Sequence, residues 1–372
     1  MKFGIITHVN HNKRDNKYFG YGPYVREMDI WLNYVDEVLI AAPLLNNKIT
    51  AIDAAYKHQK IHFEKVPEFN FIGLINVFYA MLKMPVVFWK IFFVMYQADH
   101  IHLRCPGNMG LLGCLVQILF PWKKKTAKYA GNWDPKSKQP WTYKLQKYIL
   151  NNTFLTKNMQ VLVYGNWENQ SKNIKSFFTA TYSDVEKQAI EKLDLKNESR
   201  FIFTGSLVEG KNPLYALKVI DELKKKQFNV ILNIYGEGSE RISLENYIIN
   251  NKLEESVFLH GNQNINVVKE AYKESHFVIL PSKSEGWPKT IAEGMFWGCV
   301  PITTKISCLP YMLDFGKRGL LLSMDLKKDV SEIQKIIEND EQFLKASTAS
   351  VKWSQNYTTD LFESEIKKLV IE

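Results

Sequence analysis

Short uninterrupted apolar runs alternate with stretches of helical periodicity through most of this chain, and that alternation limits the fold more than any other feature. A strand with no polar side must be covered on both faces, and strands separated by helices pair in parallel. The first half offers "KFGIITH", "EVLIAAP", "IHFEKV", "HIHLRC", "TAKYAG" and "QVLVYG"; the second offers "RFIFTGS", "NVILNIYG", "SVFLHG", "HFVILPS" and "VPITT". Helical patterns such as Pro213 to Lys226 and Ser239 to Asn251 lie between them. So many strands need two sheets, and 372 residues exceed the roughly 250 to 300 at which one core stops growing. The expectation is α/β, with two doubly wound Rossmann-like domains facing a central cleft. Residues 1–192 form the first and 193–352 the second, with the change in the charged stretch "KLDLKNESR". An amphipathic helix over 353–372 is free to return to the first domain. Neither an internal repeat of solenoid period nor a low-complexity tract is present.

Apolar content of 46% with 23% charged residues excludes a disordered or collagen-like chain. Cys105, Cys114, Cys299 and Cys308 form no CxxC pair and read as reduced thiols of a cytoplasmic protein. The apolar run in "MKFGIITHVNHN" is too short for a signal peptide and reads as a buried strand. Phe69 to Gln97 is long enough to span a bilayer, but Lys83, Pro85 and Lys90 interrupt it. Two buried helices broken at Pro85 are expected, with a one-face membrane contact as the alternative. Between Ile101 and Trp167 ten basic residues meet one acid, Asp134, a surplus equal to the chain's whole net charge of +9. With Trp122, Trp133 and Trp141 interleaved, this zone suits anionic headgroups, a phosphate-bearing substrate or plain solvent. Without a recognised motif it does not point to nucleic acid.

In open parallel sheets ligands sit beyond the carboxyl ends of strands, so the loops there carry the function. After "HFVILPS" comes "KSEGW", then Pro288, which suits a first helical turn. The amides near Lys289, Thr290 and Ile291 then lack intrahelical acceptors and present partial positive charge to a phosphate. Glu293 is the one charge between Ile291 and Thr304, about a turn further on, with Gly294 and Gly298 allowing close packing. A buried carboxylate costs several kcal/mol unless partnered. A ribose diol would partner it, and so would Lys289 four residues earlier. Recurrence favours the ligand: Gly236-Glu237-Gly238, Gly261 and "SLVEGKN" with Lys211 also follow strands in this half. Together they describe a pocket for a nucleoside diphosphate. His100 and His102 share a strand face but no third metal ligand accompanies them, so they read as core histidines, and no metal site is expected.

The order "FTGSLVEGKN", "NIYGEGSE", "VFLHGN", "FVILPSKSEGWPKTIAEGMFWGCVPI", "GLLL" resembles the family 4 retaining glycosyltransferases of GT-B fold, whose two glutamates with seven residues between are met by Glu285 and Glu293. The likeness covers most of Arg200 to Ser323 and is thinner before it. It implies that Glu293 holds the ribose of a nucleotide-sugar. Glu285 and the backbone of Gly286, Trp287, Pro288 and Lys289 hold the sugar, with Thr290 beside them. Lys211 neutralises the departing diphosphate, while Gly236, Gly238 and the Gly261 loop approach the base. The reaction it implies is retaining, metal-independent hexosyl transfer from a UDP- or GDP-linked sugar, which is co-substrate rather than cofactor, to a saccharide or lipid-linked saccharide. Envelope polysaccharide synthesis by a cytoplasmic protein, peripheral at the inner face of the plasma membrane, is the setting. The chain departs from the pattern at Ser206, where the family carries an arginine, and at Asn132 to Asp134, where it carries a histidine. Asp134 is the catalytic candidate there, and Arg104 or Lys128 are possible compensating cations. Gly20 and Gly22 in "YFGYGPYV" stand for the loop that faces the diphosphate, and lack the spacing of a NAD fingerprint. A nucleotide-sugar epimerase or a non-catalytic sugar-nucleotide-binding subunit are the alternative functions.

Overall fold

The computed structural model describes residues 1–50, 52–67, 74–190, 195 and 197–371. They form two compact units, Met1–Phe178 with Glu363–Glu372, and Thr179–Phe362. The expected change at 192/193 falls on residues outside those described. The second unit begins earlier because residues after Phe178 bond within it: Tyr182 O accepts from Thr359 N at 2.9 Å, Asp184 N donates to Asp360 at 2.7 Å, and Lys269 pairs with Glu186 at 3.2 Å.

The first unit runs β1 (Lys2–Ile6), β2 (His11–Arg14), β3 (Lys17–Tyr21), α1 (Gly22–Leu32), β4 (Glu37–Leu45), β5 (Asp53–Ala55), β6 (Ile61–Val66) and α2 (Leu74–Gln97). It continues with β7 (His100–Cys105), α3 (Asn108–Val116), β8 (Lys124–Tyr129), α4 (Trp141–Leu150), β9 (Met159–Tyr164) and β10 (Ile174–Phe177). The strands β10-β9-β8-β7-β1-β4 lie side by side in parallel, with β6 parallel on β4. All the apolar runs expected in this half are among them. The hairpin β2–β3 was not expected, because "HNKRDNKYFGY" has no apolar run. Its signal is the turn, where Asp15 and Asn16 take φ of 47° and 62°, conformations that Asp and Asn tolerate. The path from β1 to α1 is therefore a hairpin rather than a glycine loop. Gly20 lies in β3 and Gly22 opens α1.

Phe69 to Gln97 does not give two buried helices. Residues 69–73 lie outside those described, and the rest is the single helix α2 with Pro85 inside it. Burial of Val87, Ile91, Val94 and Met95 carries the helix through the proline, as packing commonly overrides propensity. Gly4 of β1 has no side chain to obstruct Val94 and Ala98; a Cβ there would stand 2.7 Å from that of Ala98. From Leu82 onward the opposite face of α2 is exposed. Among the described residues no helix is long and apolar enough to cross a membrane.

The second unit runs β11 (Ser199–Thr204), α5 (Pro213–Lys225), β12 (Val230–Tyr235), α6 (Arg241–Asn250), β13 (Val257–Gly261), α7 (Ile265–Glu274) and β14 (Phe277–Leu280). Then come α8 (Lys289–Phe296), β15 (Val300–Thr304), α9 (Leu309–Met312), β16 (Leu320–Leu322), α10 (Leu326–Ile337), α11 (Asp340–Ser354) and α12 (Thr359–Ile371). The strands lie parallel in the order β13-β12-β11-β14-β15-β16. The terminal helix expected over 353–372 is divided, since Trp353 belongs to α11 and α12 starts at Thr359. Its later part belongs to the first unit, where Glu363 accepts from Tyr34 Oη at 2.9 Å and Glu365 pairs with Lys175 at 2.6 Å.

Candidate active site

The loops after β11, β12 and β13 are knitted to one another at the carboxyl ends of their strands. Gly205 N donates to Tyr235 O, Leu207 N to Glu237 O and Gly236 N to Gly261 O, each at 2.9 Å. Glycine is required where these backbones meet: a Cβ on Gly236 would fall 1.9 Å from Gly205 O, and one on Gly238 2.3 Å from Leu207 O. Asn212, left-handed at φ 53°, turns the chain into α5 behind Pro213, and so fixes Lys211 at the loop's end. Ser206 is exposed in the same loop.

The loop after β14 joins this assembly. Lys283 N donates to Gly210 O at 2.8 Å, and the Lys283 ammonium meets Glu209 at 2.6 Å. Ser307 Oγ and Cys308 Sγ both donate to Gly286 O at 3.3 Å; burial pushes the Cys308 thiol up to about 12, which keeps its proton in place. Lys211 and Glu285, 74 residues apart, are thereby brought together: Nζ lies 2.6 Å from Oε1, with the carboxylate side chain 7% and the lysine 31% exposed. Trp287 turns its ring onto Trp353 and Tyr357, with centroids 6.1 and 5.6 Å away, so its side chain anchors the loop.

Pro288 occupies the N-cap of α8 rather than its first turn. Of the three amides expected to face an anion, that of Lys289 bonds Trp287 O at 2.9 Å and that of Ile291 bonds Pro288 O at 3.0 Å, so both are engaged within the turn. Thr290 is fixed by β11, its Oγ1 donating to Thr204 O at 2.9 Å. Gly294 lets α8 lie on β14, where a Cβ would come 2.6 Å from Val278 Cγ1. Gly298 lies past the helix and ends it at φ 79°.

Glu293 has protein partners that no residue spacing indicates. Thr181 Oγ1 donates to its Oε1 at 2.6 Å, and Tyr272 Oη to its Oε2 at 3.3 Å. Burial, and then the charge of Glu293, hold the Tyr272 phenol well above its ordinary pKa, so it stays a donor. A carboxylate has about four acceptor positions, of which these occupy two. The crevice between Glu293 and Thr179–Tyr182 has a volume of about 10 Å³, room for about one water.

In the first unit Asp134 closes a turn: its Oδ1 accepts from Lys136 N at 2.8 Å, and its carbonyl accepts from Ser137 Oγ at 2.6 Å and Lys147 Nζ at 3.0 Å. Gly22 donates its amide to Ile52 O at 2.8 Å, and a Cβ there would stand 2.7 Å from that oxygen. Arg104 and Lys128 face each other across β7 and β8, and both are bound by Glu27 of α1, at 2.6 and 2.9 Å. The basic zone is thus partly interior, with Lys125 also buried on Gln117 at 2.8 Å. His100 and His102 are core histidines, both on Thr126 Oγ1 at 3.0 and 2.9 Å, and burial lowers the His100 pKa to about 3. Among the described residues no group of three His, Cys, Asp or Glu is placed to hold a metal ion. A cavity of about 290 Å³ opens where β1 and β7 end, lined in part by His8, Asn10, Gly107, Asn108 and Tyr143. The rule that ligands lie beyond strand ends points to it, but no residue spacing does.

Residues 184–353 match the family described as glycosyl transferases group 1. Over 174 residues the chain is 28% identical to an uncharacterized glycosyltransferase of Methanocaldococcus jannaschii, covering 46% of each protein. Over 131 residues it is 30% identical to the capsular polysaccharide biosynthesis glycosyltransferase CapH of Staphylococcus aureus, covering 34% of this chain and 36% of that one. The chain therefore spans about half or less of the curated relatives it matches. Among solved structures, sucrose-phosphate synthase from Thermosynechococcus elongatus has a TM-score of 0.71 at 14% identity, over 99% of this chain and 98% of that one. Anabaena HepE in complex with UDP has a TM-score of 0.71 at 13% identity, over 99% of both chains. At such identities the likeness is one of fold, and that fold is GT-B, α/β with two doubly wound Rossmann-like units. The unit that holds Lys211, Glu285 and Glu293 is accordingly the part of the chain that matches the glycosyl transferases group 1.

Proposed function

We propose that this protein is a retaining glycosyltransferase, moving a hexosyl group from a UDP- or GDP-linked sugar to a saccharide or lipid-linked saccharide in envelope polysaccharide synthesis, without a metal ion. The observation that carries the reading is the Lys211–Glu285 pair at 2.6 Å, set among three glycine-bearing strand-end loops with Glu293 about one turn along α8. The name of CapH and the UDP bound by HepE agree with it.

In the reaction the bond from the sugar's anomeric carbon to the diphosphate oxygen breaks, and a bond from that carbon to an acceptor hydroxyl oxygen forms on the same face. The acceptor proton passes to a donor phosphate oxygen. Lys211 supplies the fixed positive charge for the leaving diphosphate, and removal of one such preorganised group typically costs about 10²–10³ in rate. Glu285 holds Lys211 in place and accepts from sugar hydroxyls. Ser206 presents a hydroxyl where a second cation would stand. Glu293 takes the ribose diol once Thr181 yields its place, and Gly236, Gly238 and Gly261 let the base approach backbone. The first unit takes the acceptor. Its cavity beside His8 is the pocket for it, Gly22 opens the neighbouring helix, and Asp134 shapes the loop at the family's histidine position. A cytoplasmic protein resting on the inner membrane face suits a lipid-linked acceptor.

The test is a thermal-shift screen with nucleoside diphosphates and their sugars, followed by product analysis. A ligand at 100 times its dissociation constant adds about 2.7 kcal/mol. UDP or GDP compounds should raise the melting temperature of the wild type, less so of Glu293→Ala, and Lys211→Ala should lose transfer. No shift with any of these nucleotides would sink the proposal.

A further inference from the structure

The exposed face of α2 is chemically unusual. Leu82, Val86, Trp89, Phe93 and Tyr96 recur at helical spacing along one side, and Trp89, Phe93 and Tyr96 are 55%, 52% and 64% exposed. The patch continues beyond the helix. Trp89 meets Phe92 at 5.5 Å, Phe92 meets Phe120 at 5.2 Å, and Phe120 meets Trp122, 68% exposed, at 5.9 Å. Soluble monomers rarely show so continuous an apolar surface.

The charges that α2 and the stretch continuing its patch carry are all basic. Neither α2 nor the stretch from Asn108 to Lys125 contains an acid. Lys83 stands on α2 itself. Lys123 closes the end of the helix, donating to Met95 O, Tyr96 O and Ala98 O at 2.8, 2.5 and 2.6 Å, with its ammonium 5.8 Å from the Tyr96 ring centre. Lys124 follows it, and Lys90 pairs with Glu64 at 2.7 Å. Tryptophan and tyrosine rings with lysines at their margin match the boundary between lipid headgroups and acyl chains. A second copy of the chain fits less well, because a two-fold contact on this stripe would set lysines against lysines with no acid on either helix.

We propose that the α2 stripe and Trp122 lie in the headgroup layer of an anionic lipid bilayer, rings inward and lysines on lipid phosphates, holding the protein on the membrane plane without crossing it. This deepens the reading of a lipid-linked acceptor by naming the surface and its partner, and it needs no donor to be tested. The full-length protein should float with phosphatidylcholine vesicles containing phosphatidylglycerol and not with phosphatidylcholine alone. Tryptophan emission should shift to the blue, and salt should weaken the binding. The double substitution Trp89→Ser with Phe93→Ser, or Lys83→Glu with Lys124→Glu, should lower partitioning about tenfold or more while melting temperature and nucleotide-induced shift are kept. No binding at low salt, equal binding by both variants, or a dimer in light scattering that the serine variant dissolves would overturn it. No vesicle binding by the wild type, with its nucleotide shift intact, would count against this surface alone and leave the glycosyltransferase reading standing.

Discussion

At the scale of single residues the decisive contact is Thr181 on Glu293, at 2.6 Å. If that carboxylate holds a ribose, the threonine hydroxyl and the sugar compete for one set of lone pairs. Thr181→Val should then lower stability by about 1 kcal/mol, as loss of one partly exposed hydrogen bond does, and tighten nucleotide binding severalfold in calorimetric titration. Weaker binding would mean that the threonine assists the donor instead. This contact could not be read from sequence, since 112 residues separate its two ends and neither spacing nor residue type links them. The Lys211–Glu285 pair was half legible. Both residues stood out as strand-end polar groups, but their mutual contact depends on Lys283 and Gly210 tying two loops together.

At the scale of elements, legibility followed burial. Strands such as β14 and β15, with every residue buried, announce themselves as apolar runs. The edge strand β5 and the hairpin β2–β3 carry half-exposed or charged residues and leave no such trace. A helix face that looks apolar in sequence is legible as helix, yet sequence does not say whether protein covers it, which is why α2 was expected to be buried. The loop junction gives a sharper expectation. Gly236, at φ 151° with Gly205 O where its Cβ would be, cannot accept a side chain without displacing backbone. Gly236→Ala should cost about 1–3 kcal/mol and abolish the nucleotide-induced thermal shift. Gly210→Ala, with nothing within 4 Å of the added carbon, serves as the control that should retain it.

At the scale of the whole molecule the first unit is discontinuous in sequence, because Glu363–Glu372 belongs to it while Thr179–Phe362 does not. A chain ending at Phe362 would lose the bonds of Glu363 to Asn33 and Tyr34, at 3.2 and 2.9 Å, the Lys175–Glu365 pair, and the buried Ile366 and Val370. Burial of two such side chains is worth about 3 kcal/mol or more. Limited proteolysis should therefore find the truncated protein cut first within residues 1–178, with the nucleotide shift of the second unit retained; equal resistance in both would refute the assignment. The same discontinuity bears on biosynthesis. Ribosomes emit a polypeptide from its amino end, so the opening body of this protein is made early but closed only after the other has been translated in full. During that interval Tyr34 and Lys175 await their partners, and a nascent-chain chaperone would find its client there rather than in the finished protein.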